Sequence, residues 1–303
     1  MQFLYLLEKL RFPLLDEAML LITQLGEETA FLAAALIVFW CVDKRKGYYL
    51  MSVGFIGTML NQFLKLACAV PRPWVLDPEF TIVEKAREAA TGYSFPSGHS
   101  QNAVGTFGSI AAFSGNKWVR YAAVAAAVLV PLSRMYLGVH TPADVLVGSG
   151  MALGLVFLLR PMLAWKEEKA MKRLIVGMIV LSLGLLAYVE LYPFGESVDV
   201  HNLQSGMKNA YTMVGCMIGV AVIYVAEKKF VNFETKAVWW AQLLKIVLGL
   251  GVVLLVKEGL RGPLEMVLPV YPARAVRYFL IVLTAGVLWP MTFRWFSKLG
   301  VKK

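Results

Sequence analysis

The chain has 303 residues, of which 58% are hydrophobic and only 17% carry a charge, whereas about a quarter of the residues in a soluble domain are charged. Its mean hydropathy of +0.64, with several windows close to the roughly 20 apolar residues of a membrane-spanning helix, predicts an integral membrane protein. The net charge of +10 does not indicate nucleic-acid binding, since no basic patch lies on a soluble face.

The residues before the first hydrophobic segment, 1–27, are amphipathic. Leucine, phenylalanine and methionine alternate there with charged residues such as Glu8, Arg11 and Asp16. A basic start before an apolar run and a small-residue cleavage site are both missing, so the pattern does not predict a signal peptide. We expect a helix that lies in the membrane interface.

Nine hydrophobic segments predict an all-α, polytopic bundle of about nine transmembrane helices. In chain order they are 28–42, 47–66, 99–114, 118–137, 143–160, 174–191, 210–226, 238–257 and 276–295. The first is short and could begin near Ala18. The third is also short, and Ser100, Gln101 and Asn102 at its start indicate that it lines a site instead of facing lipid.

The basic residues predict the orientation of the bundle, because loops rich in Lys and Arg stay in the cytoplasm. Such residues follow the first, third, fifth, seventh and ninth spans, for example Lys44, Lys117, Lys169 and Lys228. These five segments fall on one side when nine spans alternate, and we expect that side to be cytoplasmic. The net positive charge is then mostly a signal of topology.

Three motifs fall at the opposite, non-cytoplasmic ends of the spans. Lys65, Arg72 and Pro73 end the second span, Pro96-Ser97-Gly98-His99 opens the third, and Ser133-Arg134, His140 and Asp144 lie between the fourth and fifth. Motif position and loop charge are independent features of the sequence, and they agree. Together the motifs supply three cations, two histidines and a carboxylate. Cations can hold phosphate oxygens, one imidazole can attack, and the other can donate a proton.

The third motif has two interpretations that are compatible with each other. His140 and Asp144, four residues apart at the end of a span, can form an imidazole–carboxylate pair that fixes the tautomer of the imidazole. The same residues also describe a helix start, with Thr141 as the N-cap, Pro142 in the first turn and Asp144 favoured by the helix dipole.

The first two motifs are weak signals when each is considered alone. The second predicts a turn leading into a helix, where Ser97 and the amides around Gly98 can bind an anion and His99 can protonate a leaving oxygen; a capped turn with an incidental histidine is the alternative. Lys65 and Arg72 could simply be cations that reach from a span end to the interface. The combination favours a site, because two of only three histidines fall within these patterns.

The motifs resemble those of the phosphatidic acid phosphatase type 2 superfamily, which includes lipid phosphate phosphatases, prenyl diphosphate phosphatases, glucose-6-phosphatase and the soluble vanadium haloperoxidases. The resemblance covers roughly residues 12–160, and every motif position matches. It implies that His140 is the nucleophile that forms a phosphohistidine, that Asp144 orients it, and that His99 is the general acid and then the base. It implies phosphate binding by Lys65, Arg72, Ser97, Gly98 and Arg134, with no metal and no cofactor.

We expect the chain to be divided into three parts: the interfacial segment 1–27, a phosphatase core of the six-helix type at 28–173, and a C-terminal transmembrane extension at 174–303. We expect a phosphatase of the bacterial plasma membrane, acting on a prenyl, phosphatidate or sphingoid phosphate or diphosphate from the non-cytoplasmic side. A sugar-phosphate phosphatase of the glucose-6-phosphatase type is the alternative, and a transporter that kept the fold is a third possibility. The oligomeric state does not follow from the sequence.

Four further features remain open. Asp77-Pro78-Glu79 predicts a helix start in the loop 74–95, which is either a lid over the site or a surface helix. Lys257, Arg261, Arg274 and Arg277 either anchor their spans at the interface or meet an anionic headgroup. Glu196, Asp199 and His201 are an improbable metal site. Cys41, Cys68 and Cys216 are scattered and indicate neither disulfides nor a metal centre.

Overall fold

The computed structural model describes residues 1–165, 167–195 and 198–299. Within these ranges the regular structure is entirely helical, without a β-strand, as the sequence predicts. The α-helices are α1 (Gln2–Glu8), α2 (Pro13–Gln24), α3 (Glu28–Ile37), α4 (Lys44–Cys68), α5 (Pro73–Leu76), α6 (Gly98–Phe113), α7 (Lys117–Tyr136), α8 (Pro142–Leu159), α9 (Glu168–Leu191), α10 (Val200–Ala226), α11 (Trp239–Gly259), α12 (Arg261–Val267), α13 (Val270–Leu283) and α14 (Phe293–Phe296).

Shorter helical turns extend several of these helices. The π-helical turns Val38–Val42, Glu227–Val231 and Thr284–Leu288 continue α3, α10 and α13. Turns of 3₁₀-helix lie at Glu84–Ala86, Arg160–Ala164 and Pro290–Thr292.

The helices confirm a multi-pass membrane protein. In the described ranges, seven helical segments are long and apolar enough to cross a membrane, and the pair Pro13–Gln24 and Glu28–Val42, bent by 50°, is an eighth if it forms one span. All nine predicted segments are helical, but α6, which is the third, has only 16 residues and lies below the length of a typical span. The count of nine therefore stays a prediction.

The chain folds into two compact units that interleave in sequence. One unit contains Met1–Ala34, Tyr49–Leu163 and Pro193–Gly206, and the other contains Ala35–Tyr48, Ala164–Tyr192 and Met207–Lys303. The boundaries predicted at 27/28 and 173/174 are not tested by this division and stay predictions. The first unit carries all three motifs.

In the first unit, α6 packs against both α7 and α8, and α2 packs against α7. The polar residues at the start of α6 point inward: Ser100 is fully buried and Gln101 is 1% exposed. They therefore do not face lipid, as expected. The up-and-down course of the helices brings the ends of α4 and α7 to the starts of α6 and α8, which are the positions of the motifs.

The predicted helix start at Asp77 is wrong. After α5 the chain continues in turns and extended backbone up to the 3₁₀ turn Glu84–Ala86. Asp77 accepts a hydrogen bond from Tyr5 of α1 at 2.9 Å, and the Tyr5 ring meets Phe80 edge to face with 5.4 Å between centroids. Phe80 and Ile82 are buried on either side of an exposed Thr81. Burial of alternate residues against α1 requires an extended chain and overrides the helix-start chemistry.

In the second unit, α10 and α13 run parallel and in close contact. Gly215 and Gly219 of α10 face the α13 backbone and side chains, and a Cβ at Gly215 would collide with the carbonyl group of Ala275. Glycines four residues apart allow this approach, which is how many membrane helices pack. Lys245 of α11 is fully buried, but its ammonium donates to the Thr235 carbonyl at 3.2 Å and lies 4.3 Å from the centre of the Phe293 ring.

Candidate active site

Arg72 ties the first motif to the third. Its Nη1 donates to the carbonyl oxygen of Val139 at 3.0 Å and lies 2.9 Å from Nε2 of His140. Its Nε and Nη2 donate to the carbonyl oxygens of Gly92 at 3.0 Å and Thr91 at 2.7 Å, in the loop between the first two motifs. One buried guanidinium thus fixes the position of both segments.

His140 is held as a neutral imidazole with its lone pair on Nε2. A guanidinium can only donate, so Nε2 accepts from Arg72 and the ring proton is assigned to Nδ1. Burial, followed by the positive charges of Arg72, Arg134 and Lys65, holds the pKa of His140 well below its usual range. Near pH 7 the ring is therefore uncharged, and its Nε2 lone pair is the one that a nucleophile needs.

Asp144 lies beside the imidazole and is held by two donors. Its Oδ2 accepts from the Ser94 hydroxyl at 2.6 Å and the Thr141 amide at 2.7 Å, and lies 3.4 Å from Nδ1 of His140. The Thr141 hydroxyl accepts from the Asp144 amide at 3.3 Å, which completes a capping box at the start of α8. Asp144 thus caps a helix, as the second interpretation of this motif expects, and its carboxylate lies beside the imidazole without a hydrogen bond to Nδ1. His140, however, precedes the helix instead of lying one turn before Asp144 within it.

The second motif forms the turn that opens α6, as predicted. Ser97 is the N-cap, and its hydroxyl oxygen accepts from the Ser100 amide at 3.3 Å. The Ser97 amide donates to the Asp144 carbonyl at 2.9 Å. A Cβ at Gly148 of α8 would lie 2.6 Å from the Ser97 carbonyl oxygen, so a glycine is needed for this approach. Gly98 is the first helical residue, and its amide is among those that an α-helix leaves unpaired.

Unpaired donors converge on this centre. Arg134 is fully buried and donates from Nη1 to the Thr23 hydroxyl at 2.9 Å, but its Nε and Nη2 have no hydrogen-bond partner. Nε2 of His99 is also buried without a partner. Lys65 donates to the Tyr93 carbonyl and has two further N–H groups. Buried donors without a partner cost free energy, so this arrangement is one that an anion would complete.

Four contributors to the site were not found from the sequence: Thr23, Asn61, Tyr93 and Ser94. Asn61 could have been found, because a polar side chain one turn before Lys65 in an apolar span indicates an inward face; its amide nitrogen lies 3.4 Å from the Pro96 carbonyl. Thr23 and Ser94 carry no such signal, since one is far away in sequence and the other lies in a loop.

The described ranges contain no group of three His, Cys, Asp or Glu side chains that could hold a metal ion. Of the residues of the improbable metal site, Glu196 lies outside the described residues. The Asp199 carboxylate accepts from the Asn202 amide at 2.8 Å, as expected near a helix start.

Comparison with known proteins agrees with the motifs. Residues 45–168 match the family model described as "PAP2 superfamily", and residues 211–302 match "PAP2 superfamily phosphatase, transmembrane extension". Phosphatidylglycerophosphatase B of Bacillus subtilis (strain 168) is 34% identical over 167 residues, which are 50% of this chain and 76% of that protein.

The chain belongs to the PAP2 superfamily.

Two further PAP2-type relatives are also named as phosphatases. Undecaprenyl-diphosphatase BcrC of Bacillus subtilis (strain 168) is 33% identical over 150 residues, 48% of this chain and 72% of that protein. Undecaprenyl-diphosphatase of Sulfolobus acidocaldarius is 30% identical over 136 residues, 44% of this chain and 64% of that protein. No solved structure matches significantly. As a member of this phosphatase family with a transmembrane extension, the chain is a multi-pass membrane phosphatase.

Proposed function

We propose that this chain hydrolyses a lipid phosphate or diphosphate in the membrane, through a phosphohistidine on His140 and without a metal ion. Lys65, Arg72, Arg134, Ser97 and the Gly98 amide would bind the phosphate group. The unpaired nitrogens of Arg134 and His99, together with the neutral Nε2 of His140, support this assignment. The relatives named as phosphatidylglycerophosphatase and undecaprenyl-diphosphatases support a lipid substrate.

The proposed reaction has two steps, the formation and the hydrolysis of the phosphohistidine. Nε2 of His140 attacks phosphorus, the bond from phosphorus to the leaving oxygen breaks, and His99 gives that oxygen a proton. A water molecule then attacks the phosphohistidine and gives a proton to His99, and the N–P bond breaks to release inorganic phosphate. Asp144 stabilises the positive charge that develops on the attacking ring, as the carboxylate of a catalytic triad does. Arg72, which binds Nε2 before substrate arrives, would turn to the phosphate oxygens.

A groove on the first unit favours a lipid over a sugar. It has a volume of about 810 Å³ and is lined mainly by apolar side chains of α6, α7 and α8. Along α7 it extends from Met135, next to Arg134, to Arg120, a distance of about 22 Å at the rise of an α-helix. The groove begins beside the third motif, and its length is most of the roughly 30 Å thickness of the hydrocarbon core of a bilayer. A sugar phosphate has no long apolar chain that could bind in this groove.

A bulky side chain in the groove should slow the hydrolysis of long-chain substrates. Gly150 of α8 lines the groove and is exposed, and a Cβ there would meet no atom within 4 Å. Gly150→Phe should lower kcat/KM for a long-chain lipid phosphate about tenfold, because one or two methylenes lose their contact with the groove. The rate with a short, water-soluble phosphomonoester should not change.

Gly154→Phe is the matched control, because Gly154 lies one turn further along α8, has equally open surroundings, and does not line the groove. Phosphate release is measured for both substrates. An unchanged rate with the lipid, or an equal loss with both substrates, would contradict tail binding in this groove.

Phosphate release should survive EDTA, because cations and not a metal ion would neutralise the phosphate charge. The assay compares protein before and after dialysis against the chelator, with the best substrate from a screen of lipid and sugar phosphates. Activity that disappears on dialysis and returns with a divalent ion would refute the metal-independent mechanism.

The site should face away from the cytoplasm. In a variant without the three native cysteines, one of which (Cys68) is exposed, Glu79→Cys should react with an impermeant thiol reagent in intact cells. Gly115→Cys, at the other end of α6 from His99, should react only after the cells are opened. The loop charges predict this pattern, and the reverse pattern would place the site in the cytoplasm.

A further inference from the structure

Arg277 of α13 is a buried cation without a partner. It is 7% exposed, and its Nε is buried and donates to no hydrogen-bond acceptor. Within the part of the chain that the structure describes, no ion pair involves it, and its neighbour Tyr278 has a ring centre 5.7 Å away. Lys245, another buried cation of the second unit, also lies over an aromatic ring but in addition donates to a carbonyl oxygen. Arg277 thus lacks the hydrogen-bond acceptor that Lys245 has.

Arg274, one turn before Arg277, also has no carboxylate partner in the described ranges, and its guanidinium lies 5.1 Å from the centre of the Tyr278 ring. Its Nε donates to the Thr212 hydroxyl of α10 at 2.7 Å, which is a neutral acceptor. The other two cations of the predicted cluster have carboxylates beside them: Lys257 lies 3.7 Å from Glu258, and Arg261 lies 3.6 Å from Glu265. The predicted cluster of four thus divides into two cations on α11 and α12 that lie beside carboxylates and two on α13 that do not.

The surroundings place this pair near the surface of the bilayer. Arg277 is seven residues from the start of α13, about 10 Å along the helix axis, within a segment apolar enough to span a membrane. Tyr271 of the first turn stacks on Tyr211, with centroids 5.6 Å apart, and Tyr211 donates to Glu190 at 3.0 Å. Tyrosines of this kind are typical of the level of the lipid headgroups.

An unpaired guanidinium at this depth needs an anion. Residues three apart on a helix lie on the same face, so Arg274 and Arg277 can act on one ligand. Guanidinium groups bind phosphate oxygens with two parallel hydrogen bonds, and the phosphate that the surroundings offer belongs to a phospholipid. Lys208, an exposed residue whose carbonyl accepts from the Thr212 hydroxyl at 2.8 Å, adds charge one turn before Thr212 on α10.

We propose that Arg277 and Arg274, the latter positioned by Thr212, form a binding site for the phosphate of an anionic phospholipid headgroup. The site shares no residue with the candidate active site and contains no histidine or other nucleophile from the three motifs. Its ligand is therefore a bound lipid and not a substrate, and binding stabilises the pairing of α10 with α13. This inference does not rest on the proposed hydrolysis.

The test measures lipid binding and thermal stability in a neutral detergent. The parent, Arg277→Met and Arg261→Met are each titrated with phosphatidylglycerol, phosphatidylcholine and inorganic phosphate. Phosphatidylglycerol is a phosphodiester, which a phosphomonoesterase does not hydrolyse. Arg261→Met is the control, because Arg261 is exposed and already lies beside Glu265. Bound lipid is counted by native mass spectrometry, and Tm is followed by tryptophan fluorescence.

Phosphatidylglycerol should raise the Tm of the parent, and the other two probes should not. Arg277→Met should raise the apparent Kd for phosphatidylglycerol about tenfold or more, the loss expected for hydrogen bonds between charged groups. Arg261→Met should leave that Kd unchanged. Without lipid, Arg277→Met should be at least as stable as the parent, because an uncompensated buried charge is removed.

Three results would overturn the proposal. An unchanged Kd in Arg277→Met would exclude this arginine from lipid binding. A rise in Tm with inorganic phosphate as large as that with phosphatidylglycerol would mean that the site takes free phosphate. A Tm of Arg277→Met below that of the parent without lipid would show that Arg277 stabilises the fold by packing instead.

Discussion

Replacing His140 by alanine should abolish phosphate release, with a rate at least about 10⁴-fold below that of the parent. The reason is that Nε2 of His140, which accepts from Arg72 at 2.9 Å and carries the free lone pair of a neutral ring, would form the covalent bond to phosphorus. The remaining cations would still bind phosphate, so the variant should retain its affinity for inorganic phosphate. Steady-state release of inorganic phosphate is the measurement.

His201→Ala is the matched control. His201 is the one histidine of the sequence that lies outside the motifs, and it is exposed on the first turn of α10. Its activity should equal that of the parent. Brief incubation of the parent with a ³²P-labelled substrate should give an acid-labile, base-stable label on protein, and His140→Ala should give none. A variant with activity within tenfold of the parent, while folded and inserted, would exclude His140 as the nucleophile.

The sequence predicted the core of this site because its chemistry is concentrated in few residues. In a chain that is 17% charged, a cation or histidine at a span end stands out against the apolar background. The combination of three motifs identified Lys65, Arg72, Arg134, His140 and Asp144, and the structure brings them together.

The sequence failed where tertiary contacts decide. Asp77-Pro78-Glu79 has the residues of a helix start, but Phe80 and Ile82 are buried with α1 and the chain is extended. Local propensity is a weak signal when burial of a large side chain opposes it. Ser94 and Thr23 are similar cases: a hydroxyl carries little information until the fold brings it to Asp144 or Arg134.

The ion pairs of the second unit also depend on tertiary contacts that the sequence pattern does not specify. Four basic residues were expected to share one role at the membrane surface, but pairing with carboxylates separates Lys257 and Arg261 from Arg274 and Arg277. Hydropathy locates the spans to within a few residues, because the bilayer acts on every side chain. Whether a cation lies beside a carboxylate depends on the rotation of each helix about its own axis, and hydropathy does not specify that rotation.

Replacing His99 by alanine should give a loss that depends on the leaving group. His99 lies in the first turn of α6, and its Nε2 has no hydrogen-bond partner in the described part of the chain, so it is free to protonate a leaving oxygen. For an alkyl or prenyl phosphate the first step should slow by about 10²–10⁴-fold, the usual contribution of a general acid. For a nitrophenyl phosphate, whose oxygen leaves without a proton, the first step should slow by about tenfold or less.

The second step distinguishes this role from simple binding. Release of phosphate from the phosphohistidine needs a base to activate water, and alanine cannot supply one. His99→Ala mixed rapidly with the nitrophenyl ester should therefore release a burst of nitrophenol equal to the enzyme concentration and then nearly stop, while His140→Ala should give no burst. If His99→Ala loses activity equally with both esters and shows no burst, then His99 holds the phosphate or the fold, and another group supplies the proton.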